Sequence, residues 1–380
     1  MGSVKRVLVT GAAGTVGSFI VGHLLKKGYG IVVTDLSLEE MDMHTDFWCK
    51  CAIQCTYDIV PSRFGMIKTG DLKNPAFVKS LFDRENIDAV IHAAALIDVA
   101  LPYEKLKAAN VDAPVNLYRA LAKSYGKVFV FISSGSIYGS APVLTENTDI
   151  NPNSPYEQSK VDAEKLLKEE FVKDAVFPAL SILRPSLIYG PKNKFLAANY
   201  LAIAIIAAEL LRKRLPLFRS GPKTNFVHAE DVARAAIFLM EDAQNTRAPS
   251  IYNICDDTPF GFGDQMTIIA NACGYGFLPV PLPIPSGQVL SHFRRVYESP
   301  TFLKVLNAAL QGIWRAIAKK YKLENSLIPD ISPAMTPFFG QDTIFSNEKI
   351  KTAGFQLLYP DFREGIKNVI PWYKEHHWIP

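Results

Sequence analysis

Tyr156 and Lys160 form the strongest candidate for acid–base chemistry in this chain, because they lie four residues apart at the start of a predicted helix. Residues 154–160 carry the helix-start signals, with serine at the N-cap, proline next and glutamate three residues after the cap. At this spacing both side chains lie on one helix face, where an ammonium group stabilises a phenolate. A tyrosine hydroxyl has a pKa of about 10, so nearby positive charge must lower it for work near neutral pH. The pair therefore predicts a general acid–base.

Ser134 adds a hydroxyl at the carboxyl end of another predicted element, the strand 128–133. Taken alone, the Tyr156–Lys160 spacing is common on helices by chance, and a pair on the exposed helix surface is its default interpretation. The serine changes that balance, because a hydroxyl at this edge of a sheet can hydrogen-bond a substrate carbonyl or alcohol. Serine, tyrosine and lysine together suit hydride transfer to or from a dinucleotide.

Residues 10–17 provide a place for such a dinucleotide. Glycines at positions 11, 14 and 17 lie between the first predicted strand and the predicted helix 15–27, where backbone N–H groups bind a pyrophosphate. Their spacing is Gly-x-x-Gly-x-x-Gly and differs from the common Gly-x-Gly-x-x-Gly. Asp35 lies eighteen residues beyond Gly17 at the end of the second strand. A carboxylate there accepts hydrogen bonds from the adenosine ribose hydroxyls and repels a 2′-phosphate. The predicted cofactor is NAD.

The elements that position these residues alternate between strand and helix. Apolar runs at 4–10, 31–35, 66–69, 89–92, 128–133 and 179–183 predict six strands of a sheet that is covered on both faces. We expect an α/β fold, a Rossmann-type doubly wound parallel sheet in residues 1–185, with residues 226–255 returning to it. The proline-rich remainder, 186–380, is predicted to form a smaller, interleaved substrate-binding region; residues 279–285 cannot form an interior strand.

Composition narrows the possible partners. The 380 residues carry a net charge of +4 without a dense basic run, so nucleic-acid binding is not indicated. Five cysteines suit reduced thiols, and the cluster at 49, 51 and 55 lacks matching ligands elsewhere, so no metal site is predicted. A strand-like run begins at residue 6 and leaves no room for a signal peptide, and the apolar stretch 195–211 is shorter than the roughly 20 residues of a membrane span. The expected location is cytoplasmic.

Residues 302–321 predict a basic amphipathic helix within the apolar stretch 277–322. Such a helix can lie on a membrane surface. Packing on the substrate-binding region or on a dimer partner is the commoner use of an apolar stripe. Peripheral membrane contact through 277–322 is therefore the less favoured of the two interpretations, and packing is the favoured one.

With these motifs the sequence resembles the extended short-chain dehydrogenases/reductases of the NAD-dependent epimerase/dehydratase type. The resemblance rests on residues 10–17, 91–95, 184–191, Asn110 and the Ser134, Tyr156 and Lys160 set. It implies that Tyr156 is the acid–base, that Lys160 binds the nicotinamide ribose and lowers the tyrosine pKa, and that Ser134 orients the reacting oxygen. Asn110 would support the active-site helix. The resemblance also implies a homodimer.

The expected cofactor contacts lie at the carboxyl ends of the strands, where small residues let the backbone approach the ligand. Pro185 is expected to contact the nicotinamide carboxamide by the same resemblance. The full expected set comprises Gly11, Ala13, Gly14, Thr15, Val16, Gly17, Asp35, Asp71, Leu72, Ala93, Ala94, Ala95, Tyr156, Lys160 and Pro185.

Within the family, residues 93–99, 225–233 and 252–259 resemble the 3β-hydroxysteroid dehydrogenase branch. Thr224 and Asn225 stand where sugar-nucleotide members usually carry Arg-Asp, and Gly135 and Ser136 stand where 4,6-dehydratases need acids. The expected function is thus an NAD-dependent oxidoreductase that acts on a secondary alcohol or ketone of a hydrophobic, steroid-like substrate.

Two alternatives stay open. The first is an NAD-dependent nucleotide-sugar epimerase of the same superfamily, which returns its hydride to the substrate. The second is a non-catalytic protein that senses a dinucleotide, which has no need of Ser134, Tyr156 and Lys160 together.

Overall fold

The computed structural model describes residues 4–36, 64–83, 86–97, 101–139, 141–173, 178–195, 197–218, 221–242, 248–282, 299–324, 327–331 and 342–380. Its strands are β1 (Arg6–Thr10), β2 (Gly30–Asp35), β3 (Phe64–Thr69), β4 (Ala89–His92), β5 (Val128–Ile132), β6 (Ala179–Pro185), β7 (Leu187–Tyr189), β8 (Arg214–Phe218), β9 (Lys223–Thr224), β10 (Phe226–His228), β11 (Ser250–Ile254), β12 (Phe260–Gly261) and β13 (Gly276–Leu282). Its α-helices are α1 (Thr15–Lys27), α2 (Pro75–Phe82), α3 (Tyr103–Lys107), α4 (Ala113–Lys123), α5 (Pro155–Lys173), α6 (Ala197–Leu210), α7 (Ala229–Asp242), α8 (Phe262–Cys273), α9 (Pro300–Tyr321), α10 (Glu348–Thr352) and α11 (Phe362–Glu375).

A seven-stranded parallel sheet in the order β11-β6-β5-β4-β1-β2-β3 forms the centre of the fold. This arrangement confirms the predicted α/β Rossmann-type fold. The chain runs outward from β1 through β2 and β3 and then outward in the other direction from β4. The carboxyl ends of β1 and β4 therefore lie at the point where strand order reverses, which is the ligand-binding crevice of open α/β sheets.

Both faces of this sheet are covered by helices, as the apolar strand sequences require. Val7 and Val9 of β1 face one side, where their cluster includes Ile20 and Leu24 of α1 and Val232 of α7. Leu8 faces the other side, in a cluster that contains residues of α2, α4 and α5. The alternation along β1 is the period of two that a strand imposes on its side chains.

Helix α1 ends where its sequence predicts. Gly28 adopts the left-handed conformation at φ 85°, and its N–H bonds the carbonyls of Leu24 and Leu25, which closes the helix. Lys26 and Lys27 lie in the last turn, where cations complement the helix dipole. The helix therefore presents its opposite, N-terminal end to the crevice.

A second layer follows β6. There β7 pairs with β10, β8 pairs with β13, and α6, α8, α9 and α11 contribute to one apolar cluster. Pro279 and Pro281 lie in β13, which pairs with β8 in a two-stranded sheet, where a strand at an edge tolerates proline. The sequence predicted that residues 279–285 cannot form an interior strand, and the place of β13 in a two-stranded sheet agrees with this prediction.

Helix α9 spans the predicted amphipathic segment and has a different exposure at its two ends. Trp314 and Ile317 are buried in the second-layer cluster, whereas Phe302 and Val305 are exposed. Packing therefore accounts for the C-terminal half of the apolar stripe, and membrane contact stays a prediction. Within the described ranges, no helix combines the length and the apolar character needed to cross a bilayer.

Some sequence predictions lie outside the described residues. They include the cysteine cluster at 49, 51 and 55, most of the segment 36–65, and the middle of the stretch 277–322. Strand limits differ slightly from those predicted: β1 begins at Arg6, β5 ends at Ile132 and β6 continues to Pro185.

Candidate active site

The turn between β1 and α1 forms a tight cradle at the sheet crevice. Gly11 has φ 64°, and a Cβ atom there would lie 2.6 Å from the backbone nitrogen of Ala94. A Cβ at Gly17 would lie 2.0 Å from the carbonyl oxygen of Gly11. Only glycine fits at these two positions. The cradle leaves the α1 N-terminus open, as a pyrophosphate requires.

Asp35 fixes the other side of this cradle. Its Oδ2 accepts a hydrogen bond from the backbone N–H of Ala13 at 2.8 Å, and its Oδ1 accepts one from the N–H of Leu36 at 2.8 Å. The carboxylate therefore orders the glycine turn and also faces the cavity where a ribose would lie. These residues fit an NAD molecule that is held through its pyrophosphate and its adenosine ribose.

One cavity of about 1420 Å³ runs along the carboxyl edge of the sheet. It exceeds the usual size of a single small-molecule site and has room for a dinucleotide and a second ligand. Of the sequence-predicted site residues, those that line it are Gly11, Ala13, Gly14, Thr15, Val16, Gly17, Asp35, Asp71, Leu72, Ala93, Ala94, Ala95, Ser134, Tyr156, Lys160 and Pro185.

Lys160 lies beneath Tyr156 in a buried position. Its Nζ donates a hydrogen bond to the carbonyl of Ile132 at 3.0 Å and lies 5.9 Å from the centre of the Tyr156 ring. Burial lowers the pKa of Lys160 to about 8. The ammonium group is therefore still mostly charged at pH 7, close to the tyrosine that it is expected to assist.

Tyr156 lies partly buried in the cavity wall beside Ser134. Burial raises the pKa of Tyr156 to about 12; a hydrogen bond with Ser134 opposes this rise, and the charge of Glu157 adds to it. Without a further positive charge the side chain is therefore a phenol. A cationic ligand ring in the cavity would supply charge of the required sign.

Asn110 is buried behind the cavity in a π-helical turn, Ala108–Asp112. Its Oδ1 accepts a hydrogen bond from the N–H of Leu96 at 2.8 Å, and its Nδ2 donates to the hydroxyl of Ser159 at 3.1 Å. Ser159 in turn donates to the carbonyl of Tyr156 at 2.6 Å. Asn110 thereby contacts Ser159 of α5 without lining the cavity. Its support of the active-site helix, which the resemblance implies, stays a prediction.

A buried ion pair below the site was not predicted from the sequence. Arg184 donates to Glu164 through Nη2 at 2.6 Å and through Nε at 2.9 Å, and both side chains are only 2% exposed. Ser133 donates to Glu164 at 2.7 Å. Burial alone would raise the pKa of Glu164, but the Arg184 hydrogen bonds and charge lower it. The pair links α5 to β6 beside Ser133.

The far part of the cavity is lined by residues from distant parts of the chain. Trp372 and His376 stack with their ring centres 4.0 Å apart, and the Nζ of Lys194 lies 5.4 Å from the ring centre of Trp378. The loop that carries Lys192 and Lys194 contacts the glycine turn, where the hydroxyl of Thr15 donates to the Lys192 carbonyl at 3.3 Å. No local motif marks these aromatic residues, because α11 reaches the cavity only through the folded second layer.

Positions 135 and 136, which directly follow Ser134, decide which groups face the reacting atoms. A Cβ at Gly135 would lie 2.5 Å from the Phe345 ring and 3.0 Å from the carbonyl of Pro185, so an acidic side chain has no room there. Ser136 is exposed to the cavity, and its hydroxyl lies 2.9 Å from that of Ser134. Over the residues that the structure describes, no group of three His, Cys, Asp or Glu side chains is arranged to hold a metal ion.

Comparison with known proteins agrees with this geometry. The family model described as the NAD dependent epimerase/dehydratase family matches residues 7–255. A human protein named dTDP-D-glucose 4,6-dehydratase is 24% identical over 387 residues, covering 99% of this chain and 93% of its own.

Two solved structures share the fold. The UDP-Glc/GlcNAc 4-epimerase from Campylobacter jejuni aligns with a TM-score of 0.70 at 19% identity, covering 98% of this chain and 99% of its own. The UDP-glucose 4-epimerase from Thermus thermophilus, solved in complex with NAD, aligns with a TM-score of 0.63 at 21% identity, covering 97% and 99%.

Proposed function

The chain belongs to the NAD-dependent epimerase/dehydratase family and uses NAD, and we propose that within this family it is a nucleotide-sugar epimerase. This is the alternative that the sequence left open. The steroid-like substrate has no support among the relatives described above, which are named for nucleotide sugars. The catalytic and cofactor roles of the site residues and the division at residue 185 are parts of this proposal.

The single observation that carries the proposal is the continuity of the cavity. One space joins the glycine turn to Ser134, Tyr156 and Lys160 and continues to the wall that contains Trp372 and Lys194. Aromatic rings offer stacking surfaces for a nucleobase. Lysine offers charge for a phosphate. A substrate with a base and a diphosphate at one end and a sugar at the other would fill such an extended space.

Thr224 and Asn225 do not oppose this proposal, although the sequence suggested that they did. Both are buried and neither lines the cavity. Asn225 donates to the carbonyl of Asp256 at 2.8 Å and accepts from the N–H of Phe345 at 2.9 Å, so it holds backbone in place. The loop with Lys192 and Lys194, which does line the cavity, is the better candidate for a diphosphate contact.

The residues around Tyr156 support reversible oxidation of a sugar hydroxyl. Tyr156 takes the hydroxyl proton and later returns it, while Ser134 holds the reacting oxygen by a hydrogen bond. Lys160 stabilises the phenolate from below, since its ammonium group is fixed on the Ile132 carbonyl. When bound, NAD would supply the hydride acceptor for the carbon that carries this hydroxyl, and its reduced form would supply the hydride for the return step.

Epimerisation is favoured over dehydration by the space around Gly135. Removal of water from a sugar needs both a further acid and a further base beside the reacting hydroxyl. Glu157 offers one carboxylate in this part of the cavity, but the Phe345 ring fills the room that a second acidic side chain, at position 135, would need. Ser136, at the next position, carries a hydroxyl that is neutral at any working pH.

The test is incubation of the purified protein with NAD and either UDP-glucose or dTDP-glucose, with products followed by NMR and NADH by absorbance. We expect the C4 epimer to accumulate without net NADH, and Tyr156→Phe to lose turnover while NAD affinity stays nearly unchanged. A panel of 3β-hydroxysteroids serves as the comparison. Net NADH from a steroid, or a 4-keto-6-deoxy product from a nucleotide sugar, would contradict the proposal.

A further inference from the structure

Glu157 lies on the cavity wall directly after Tyr156, and its carboxylate is fixed by several donors. The backbone N–H of Asn153 donates to Oε2 at 2.6 Å. Burial raises the pKa of Glu157, and the nearby Asn153, Ser154 and Ser136 groups oppose this rise. The sequence assigns this residue only to the start of α5, but these contacts direct its charge toward the substrate part of the cavity.

The carboxylate is close to the predicted reacting oxygen. The Ser136 side chain lies close enough to Glu157 to lower its pKa, and the Ser136 hydroxyl lies 2.9 Å from that of Ser134. Ser134, Ser136, Tyr156 and Glu157 all line the same cavity. A substituent on the carbon next to the reacting carbon would therefore face Glu157.

We infer that Glu157 is a specificity-determining residue that accepts neutral hexoses and excludes hexuronic acids, which carry a carboxylate in place of the hydroxymethyl group. The inference rests on the proposed function, since it concerns the sugar at the same site. A neutral hexose offers hydroxyl donors to the carboxylate. A uronate offers a second negative charge and no donor to the Glu157 carboxylate, so the two charges repel each other.

The reaction itself brings the sugar substituent close to Glu157. An epimerase with one fixed hydride carrier must present first one ring face and then the other. The group on the neighbouring carbon therefore occupies both sides of the reacting carbon during one turnover. A uronate would meet the Glu157 charge in at least one of the two orientations. Of the cavity lysines, Lys160 is fixed on the Ile132 carbonyl beneath Tyr156, and Lys192 and Lys194 belong to the loop that contacts the cofactor turn at Thr15.

The test measures UDP-glucuronate as a competitive inhibitor of UDP-glucose epimerisation by NAD-loaded wild-type protein, E157Q and E375Q. Gln keeps an oxygen for the Asn153 N–H, so the start of α5 is preserved. Glu375 also lines the cavity, at the end of α11, and its variant removes one charge from the same space without touching Ser136. NAD affinity reports the folded state of each variant.

We expect wild-type protein to bind UDP-glucuronate at least roughly tenfold more weakly than UDP-glucose, a separation of about 1.4 kcal/mol. E157Q should remove most of this difference, and E375Q should keep it. Equal binding of both sugars by wild-type protein would overturn the inference, and so would an unchanged ratio of the two affinities in E157Q. Either result would leave the proposed epimerase function standing. Wild-type protein that binds NAD but converts no nucleotide sugar would overturn the proposed function, and this inference with it.

Discussion

Replacing Lys160 with methionine should abolish turnover and yet stabilise the folded protein at neutral pH. Burial lowers the pKa of Lys160 from 10.5 to about 8, so the charged form is disfavoured in the folded state. At 1.36 kcal/mol per pKa unit, the wild-type protein loses about 3 kcal/mol of stability at pH 7. The residue is 2% exposed, so solvent screening removes little of this cost.

The substitution also has a cost, because the carbonyl of Ile132 loses its hydrogen bond from Nζ. One such bond is worth about 1 kcal/mol. Lys160→Met should therefore be more stable than wild type by about 2 kcal/mol at pH 7. The catalytic loss has a separate cause, since the phenolate of Tyr156 would have no ammonium group beneath it.

The difference should depend on pH in a defined direction. The folded-state pKa lies below the unfolded one, so between pH 8 and 10.5 the unfolded chain holds a proton that the folded protein has released. Wild-type stability therefore rises with pH through this window relative to Lys160→Met. By about pH 10 the two proteins should be nearly equal in stability, because the remaining charge cost is about equal to the lost hydrogen bond.

The assay is equilibrium urea unfolding of the cofactor-free proteins at pH 7 and pH 10. Lys165→Met is the matched control, because Lys165 is exposed on the same helix and should change stability by less than about 0.5 kcal/mol at either pH. A Lys160→Met protein less stable than wild type at pH 7 would refute the argument. So would a stability difference that is the same at both pH values.

Three further substitutions test other contacts. Gly17→Ala places a Cβ 2.0 Å from the Gly11 carbonyl, and strain of about 3 kcal/mol should weaken NAD binding roughly a hundredfold, measured by calorimetry, with an unchanged circular dichroism spectrum. Asp35→Asn removes the charge that opposes a 2′-phosphate and should narrow the preference for NAD over NADP by roughly tenfold or more in binding assays. Glu164→Ala leaves Arg184 buried without its partner and should cost about 3–5 kcal/mol in urea unfolding, whereas Glu164→Gln combined with Arg184→Met should recover much of it. Unchanged NAD affinity in Gly17→Ala would contradict the first argument, and an unchanged NAD-to-NADP preference in Asp35→Asn would contradict the second. A Glu164→Gln, Arg184→Met double variant less stable than Glu164→Ala would contradict the third.

The cofactor side of the site could be predicted because its signals are local. Strand β1, the glycine turn, α1 and β2 are consecutive in the chain, so residues 6–35 contain the whole cradle apart from its β4 wall. Tyr156 and Lys160 are likewise four residues apart on one helix. Such short-range patterns reflect backbone geometry, which tertiary packing did not override here.

The substrate side could not be predicted, because it forms only when distant segments meet. Glu164 and Arg184 pair across α5 and β6, and Trp372 joins the cavity from α11. Glu157 has a helix-start signature that accounts for it fully at the level of sequence. Only the folded structure shows that Glu157 also lines the cavity, together with Ser136.

Two of the three motifs behind the expectation of a steroid substrate, residues 225–233 and 252–259, belong largely to the scaffold. In residues 225–233, Asn225 and Val227 are buried, and His228 is buried with its ring centre 4.0 Å from that of Tyr359. Residues 252–254 lie in β11 at the edge of the main sheet. A likeness in such positions reports how the fold packs and carries no information on what enters the cavity.

The most direct measurement of the central claim uses UDP-glucose with deuterium at C4, incubated with the protein and NAD in ordinary water. If the hydride leaves C4 and returns to the same carbon, the epimeric product keeps its deuterium and no net NADH forms. Loss of deuterium to the solvent would mean that the carbon exchanges a proton instead. Lasting transfer of deuterium to NAD would mean a net dehydrogenase, and either result would contradict the epimerase.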